Sequence, residues 1–87
     1  MIATKFKEIS VNEIIKELKI YKVCFIKILE SCRIDFSRAL LTQILVDIDD
    51  DIVNLNTNPS KDYIQYTRIN LTNYDNVFRN CIKGLYL

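Results

Sequence analysis

The sequence has no histidine, no tryptophan, one glycine, one proline and three cysteines in 87 residues. Without histidine it lacks the side chain that titrates near neutral pH and most often holds a metal. Cys24, Cys32 and Cys81 form no CxxC pair, so a zinc site has almost nothing to build on. They are odd in number and widely spaced, and nothing ahead of them resembles a secretory signal. They are expected to be reduced and buried as small hydrophobes. The carboxylates mostly read as exposed, with no neighbours to perturb a pKa, so no general acid–base pair or activated nucleophile can be nominated. No enzyme, cofactor, metal or small-molecule substrate is expected. Lysines interrupt every apolar run before the ~18 residues of a membrane span, which excludes a transmembrane reading. The ending CIKGLYL is no prenylation box, because its cysteine lies too far from the end.

What is abundant is apolar surface. Hydrophobic residues make up 49% of the chain, high for one small soluble domain. A domain this size cannot hide all of that internally. Disulfides and metals being unpromising, oligomerisation is the expected remedy. The net charge of +1 conceals a bias. Residues 1–38 carry eight Lys/Arg against five Asp/Glu, residues 39–66 one against five, and residues 67–87 three against one.

Residues 1–9 read as a basic, irregular or extended lead-in, and residues 10–87 as a single helical domain. Ser10 and Glu13 form an S-x-x-E capping box, with Ile9 and Ile14 placed for a hydrophobic staple. Val11, Ile14, Leu18, Tyr21, Phe25, Ile28 and Cys32 then recur at steps of three and four, as one face of a helix. Residues 20–29, IYKVCFIKIL, are β-branched enough to leave a strand open as an alternative. After a connector over Ser31–Asp35, Asp35 or Ser37 is expected to cap a second helix.

That second helix, Ser37–Asn56, is the centre of the chain. Leu41, Ile44, Leu45, Ile48, Ile52 and Leu55 form one stripe, and Leu40, Val46 and Val53 widen it beyond the roughly 100° that a surface helix needs. Such a helix is expected to be covered partly by a protein partner, with this stripe as the interface. Asn58-Pro59 should break it, since the residue before proline disfavours the α region. Pro59 could open a short helical piece over Ser60–Tyr66, capped by Asn58. Thr67–Leu71 reads as a short extended link. A last helix, capped by Thr72 or Asn73, should bury Tyr74, Val77, Phe78, Cys81 and Ile82 and end at Gly84.

Asp47, Asp49, Asp50 and Asp51 imitate the start of a calcium loop. Ile52 stands where glycine must turn that loop and Asn58 where a glutamate must close it, so a solvated acidic face is expected instead. Asn70-Leu71-Thr72 is a glycosylation sequon, read as chance. Arg33-Ile34 and Arg68-Ile69 each read as an extended step into a capped helix. A helix N-terminus and an adjacent arginine point positive charge at one spot, which suits phosphate. Arg33 and Arg68, with Lys5 and Lys7 on the lead-in, are therefore the expected DNA contacts.

This layout of helix, Arg-Ile loop, long helix, second Arg-Ile loop and short helix resembles the histone fold, and within it the centromere protein X family. The resemblance is most specific over Arg68–Phe78, RINLTNYDNVF, with Arg33-Ile34 matching the first loop and Ala39–Leu41 the opening of the central helix. Pro59, the Asp49–Asp51 triplet and the terminal IKGLYL depart from the family's pattern. The resemblance implies an all-α fold and an obligate heterodimer with a histone-fold partner resembling centromere protein S. Val77 and Phe78 then join the second-helix stripe at the interface. It also implies sequence-independent binding of double-stranded DNA in the nucleus, serving kinetochores and the repair of stalled replication forks. A small helical adaptor or inhibitor, docking on a protein and never touching DNA, is the alternative. Paired arginine loops favour the first reading.

Overall fold

The structure is a computed structural model that describes residues 2–84, with side chains from residue 11 onward. The chain is all-α, as expected, with the order α1 (Ile2–Ser31), α2 (Asp35–Leu55) and α3 (Lys61–Ile82). The helices pack as an elongated bundle of 48 × 22 × 18 Å. Its proportions differ from the expected layout, because α3, with 22 residues, is as long as α2, with 21.

α1 begins at Ile2, so Ser10 lies inside the helix rather than at its start, and the lead-in expected to be irregular is helical in its backbone. The strand alternative for residues 20–29 is also displaced, since α1 continues unbroken to Ser31. The reason is the a/d recurrence of Ile14, Leu18, Tyr21, Phe25, Ile28 and Cys32, which gives a helix one continuous face to bury. Burial of that face outweighs the weak strand preference of β-branched residues.

The connection to α2 is three residues long, so the two helices run antiparallel. Neither Asp35 nor Ser37 caps α2. Ile34 occupies the cap position with no side-chain bond, Asp35 is the first helical residue, where its charge complements the helix dipole, and Ser37 is buried. Arg38 does the capping in the other direction. Its guanidinium donates to the carbonyls of Leu29 and Cys32, each at 3.0 Å, closing the C-terminus of α1.

The break after α2 falls where Asn58-Pro59 placed it, with Asn58 in the left-handed region at φ 51°, a conformation asparagine tolerates better than most residues. The cap of α3 is Ser60 rather than Asn58, its hydroxyl accepting from the Tyr63 N–H at 3.1 Å. α3 then passes straight through Thr67–Leu71, where an extended link was expected. Ile64, Thr67, Leu71, Tyr74, Phe78 and Cys81 make an a/d series across the supposed link. Thr67 is fully buried in it, because its hydroxyl donates to the Ile64 carbonyl at 2.8 Å and so needs no outside partner. Gly84 follows the helix at φ 83°, as its stop signal required.

α3 lies alongside α1 and parallel to it. Tyr21 and Phe25 of α1 pack on Phe78, with ring centroids 6.1 and 6.2 Å apart, while Tyr21 also bonds Asp75 one turn earlier on α3. Leu18, Phe25, Leu41 and Ile48 are fully buried where the three helices meet.

Candidate interaction surface

Arg33 is exposed on the α1–α2 loop, as expected. Arg68 is not on a loop: it is an exposed residue two turns inside α3. The second Arg-Ile step therefore does not exist as a step into a helix. Nor do the two arginines meet, since α2 rises about 30 Å between the two turns of the bundle and Arg68 is only about 10 Å back from the far one. The side chains of Lys5 and Lys7 lie outside the described residues.

The stripe expected to face a partner is covered from within. Leu41, Ile44, Ile48 and Leu55 are buried against α1 and α3 of the same chain, and Leu45 and Ile52 are half-buried beside them. Val77 and Phe78 pack on the same core. A partner was expected to supply part of this cover because so small a chain has little else to offer, and the length of α1 and α3 supplies cover from within. Cys32 and Cys81 are buried thiols and Cys24 is a half-buried one, with no disulfide among the described residues. Burial, with Cys32 nearby, pushes the Cys81 thiol above its ordinary value.

The acidic run divides. Asp49 forms an ion pair with Lys22 of α1 at 2.7 Å and Asp50 is exposed, but Asp51 is buried, with 4% of its surface exposed. Its Oδ1 accepts from the Tyr63 hydroxyl at 2.8 Å, and its Oδ2 from the Asn70 amide and the Tyr74 hydroxyl, each at 3.2 Å. Asn54 in turn donates to the Tyr63 oxygen at 3.0 Å. Burial first, and then the Asp51 charge, push the Tyr74 phenol well above its ordinary value. Burial also raises Tyr63. This cluster clasps α3 to α2, with Asp51 and Tyr74 buried and Tyr63 and Asn70 at its half-buried edge. Its signal was in the sequence, for Asp51 shares its line with Ile44, Ile48 and Leu55. Among the described residues no group of His, Cys, Asp or Glu could hold a metal.

A second polar cluster joins α1 to α3. The Tyr21 hydroxyl donates to Asp75 Oδ1 and the Arg79 guanidinium to Oδ2, both at 2.8 Å. These bonds hold the Asp75 carboxyl below its usual range, Arg79 contributing most. Burial and the bond to Asp75 push Tyr21 up to about 12. Above it runs a shallow open furrow of about 290 Å³ lined by Glu17, Ile20, Cys24 and Phe78 among others.

One group of exposed apolar side chains lies on the opposite side of the α1–α2 hairpin, while Ile20, Phe36, Ile69 and Ile82 are exposed elsewhere. Tyr21 and Phe25 turn α1 towards α3, and Asp51 and Asn54 turn α2 towards it. The Lys22–Asp49 ion pair bridges the same two helices on the side that α3 leaves open. One turn either side of Lys22 stand Lys19 and Ile26, and one turn either side of Asp49 stand Val46 and Val53. Ile26 is 38% exposed, Val46 50%, Val53 62%, and Val23 beside them 55%. The open face is thus a flat layer of two helices with a lysine row on α1, an aspartate on α2, and apolar side chains around the bridge. Val46 and Val53 are the residues that widened the apolar arc of α2, and they mark this face in the sequence.

No family model, no curated protein and no solved structure matches the chain. Among the described residues, no helix is long and apolar enough to cross a membrane.

Proposed function

We propose that this protein is a small helical interaction subunit that works by docking on another polypeptide through the open face of the α1–α2 hairpin. The observation that carries this is the set of exposed apolar side chains around a charged bridge, Val23, Ile26, Val46 and Val53 about Lys22–Asp49. Apolar surface framed by complementary charge is the anatomy of a protein interface. Lys22 and Asp49 satisfy each other, and Lys19 calls for an acidic group opposite α1. A photo-crosslinking residue in place of Val53, in cells producing the full chain, tests it. The expected result is a discrete protein adduct that disappears when Val46→Glu is added. The reading fails if there is no adduct, or if the adduct is indifferent to Val46→Glu.

A second reading keeps the DNA-binding role of a histone-type pair, in the nucleus, at kinetochores and stalled forks. What favours it is Arg33, exposed at the start of α2 beside the exposed side chains of Ile34 and Phe36. On this reading Arg33→Ala flattens the plot of log affinity against log salt by about 0.9 on duplex DNA. A chain, alone or with a partner, that ignores duplex DNA at low salt leaves the first reading standing alone.

A further inference from the structure

We propose that the end of the bundle formed by the α1–α2 turn and the last residues of α3 docks on an anionic lipid surface, with Phe36 as the side chain that enters it. This end is separate from the open face of the hairpin and does not depend on what fills that face.

Three exposed apolar side chains come to this end from two segments. Ile34 stands at the cap position of α2 and is 46% exposed. Phe36, two residues on, is 73% exposed, the highest value among the large apolar side chains described. α3 runs parallel to α1, so its last residue, Ile82, reaches the same end, where it is 68% exposed. Cys81 beside Ile82 shares one buried cluster with Cys32 of the turn, and Cys32 is near enough to help push the Cys81 thiol up, which places the two segments together. Phe36 is also held in place. Ser37 next to it is buried, and Arg38 bonds the carbonyls of Leu29 and Cys32. A side chain fixed in this way loses little freedom on insertion.

The charge around these side chains is positive. Residues 30–38 and 79–84, which build this end, carry four Lys/Arg against two Asp/Glu, and Arg33 and Lys83 are exposed. The α2–α3 turn at the opposite end, residues 55–63, carries Lys61 and Asp62 in balance and no exposed large apolar side chain. Apolar insertion and basic residues are the two signals that together hold a protein on an anionic bilayer.

Size and chemistry select a bilayer over other partners. In cross-section the bundle measures 22 × 18 Å, about half of the ~800 Å² that each partner gives to a standard protein interface. A fluid bilayer accepts a protruding side chain without a matching pocket. Duplex DNA fits less well, because Ile34 and Ile82 offer neither a hydrogen bond to phosphate nor an aromatic plane to a base.

The chain has no tryptophan, so Phe36→Trp supplies a single fluorescent reporter at this end. Added to the purified full chain, vesicles of phosphatidylcholine with phosphatidylserine should shift its emission to the blue and shield it from iodide. Vesicles of phosphatidylcholine alone should bind at least tenfold more weakly. In co-sedimentation with the mixed vesicles, Phe36→Asp and Ile82→Asp should each lower affinity at least tenfold. Arg33→Gln and Lys83→Gln should each lower it about fivefold, the equivalent of about 1 kcal/mol per basic residue near the surface. Val53→Asp, on the open face, should bind as the wild type does. Circular dichroism checks that each variant keeps its helices, and should Phe36→Asp lose them, Ile82→Asp carries the test. Emission indifferent to the mixed vesicles overturns the inference. So does equal binding to both kinds of vesicle, or binding that survives the two aspartate variants with their helices intact. A shift produced by duplex DNA and not by vesicles overturns it in favour of the DNA reading.

Discussion

The Tyr74 hydroxyl donates to Oδ2 of Asp51 across 3.2 Å, and both residues are buried. With Tyr63 and Asn70 as its other donors, this carboxylate holds α3 on α2 with no cation bonded to it among the described residues. Asp51→Ala leaves those donors without an acceptor, and a buried unsatisfied donor costs about 1–3 kcal/mol. Tyr63 and Asn70 are only half-buried and can turn to water, so a total loss of about 2–4 kcal/mol is expected in urea unfolding. Tyr74→Phe removes one donor and should lose about 1 kcal/mol.

Three phenols are held above their ordinary value, Tyr21 at about 12 and Tyr63 and Tyr74 raised chiefly by burial. A group whose folded pKa is raised contributes stability that is complete below its unfolded value, near 10, and is lost as pH climbs towards the folded value. Stability should therefore fall from about pH 10 upward. The absorbance change of these three phenolates should coincide with loss of helical circular dichroism rather than precede it. A full tyrosine titration completed with helicity intact would contradict the buried clusters.

Ile48 is fully buried inside the chain's own core. Ile48→Asp puts an unpaired carboxylate there at a cost of several kcal/mol, comparable to the whole stability of a domain this small. Loss of cooperative unfolding is the expected outcome. Val46→Glu, half a turn away on the exposed side, should leave the unfolding midpoint almost unchanged.

Arg38 closes the end of α1 through two carbonyls. Arg38→Ala should destabilise the chain by about 0.5–1 kcal/mol. Amide hydrogen exchange should speed up most in the last turn of α1, with the α2–α3 hairpin unaffected.

The sequence by itself determined that the chain is helical, and placed the break at Asn58-Pro59 and the stop at Gly84. Both facts are local: three- and four-residue recurrence has one regular solution, and turn residues act through their own dihedral limits. It also disclosed the apolar excess of α2 through Val46 and Val53. Only the tertiary structure decided which sides of that helix meet the chain's own helices and which stay open. Ile48 and Val46 are both β-branched aliphatics, and nothing in either says that α1 and α3 will cover the first and leave the second. The same holds for Thr67, Arg68 and Asp51. Thr67–Leu71 has the local character of an extended link, yet α3 runs through it because Thr67 lies on the face that packs against the bundle. That packing removed the second arginine loop on which the phosphate reading depended. Asp51 looks like one more exposed carboxylate until Tyr63, Asn70 and Tyr74 are brought to it by helix packing. Contacts between residues far apart in sequence choose among locally similar side chains, and periodicity alone does not carry that information.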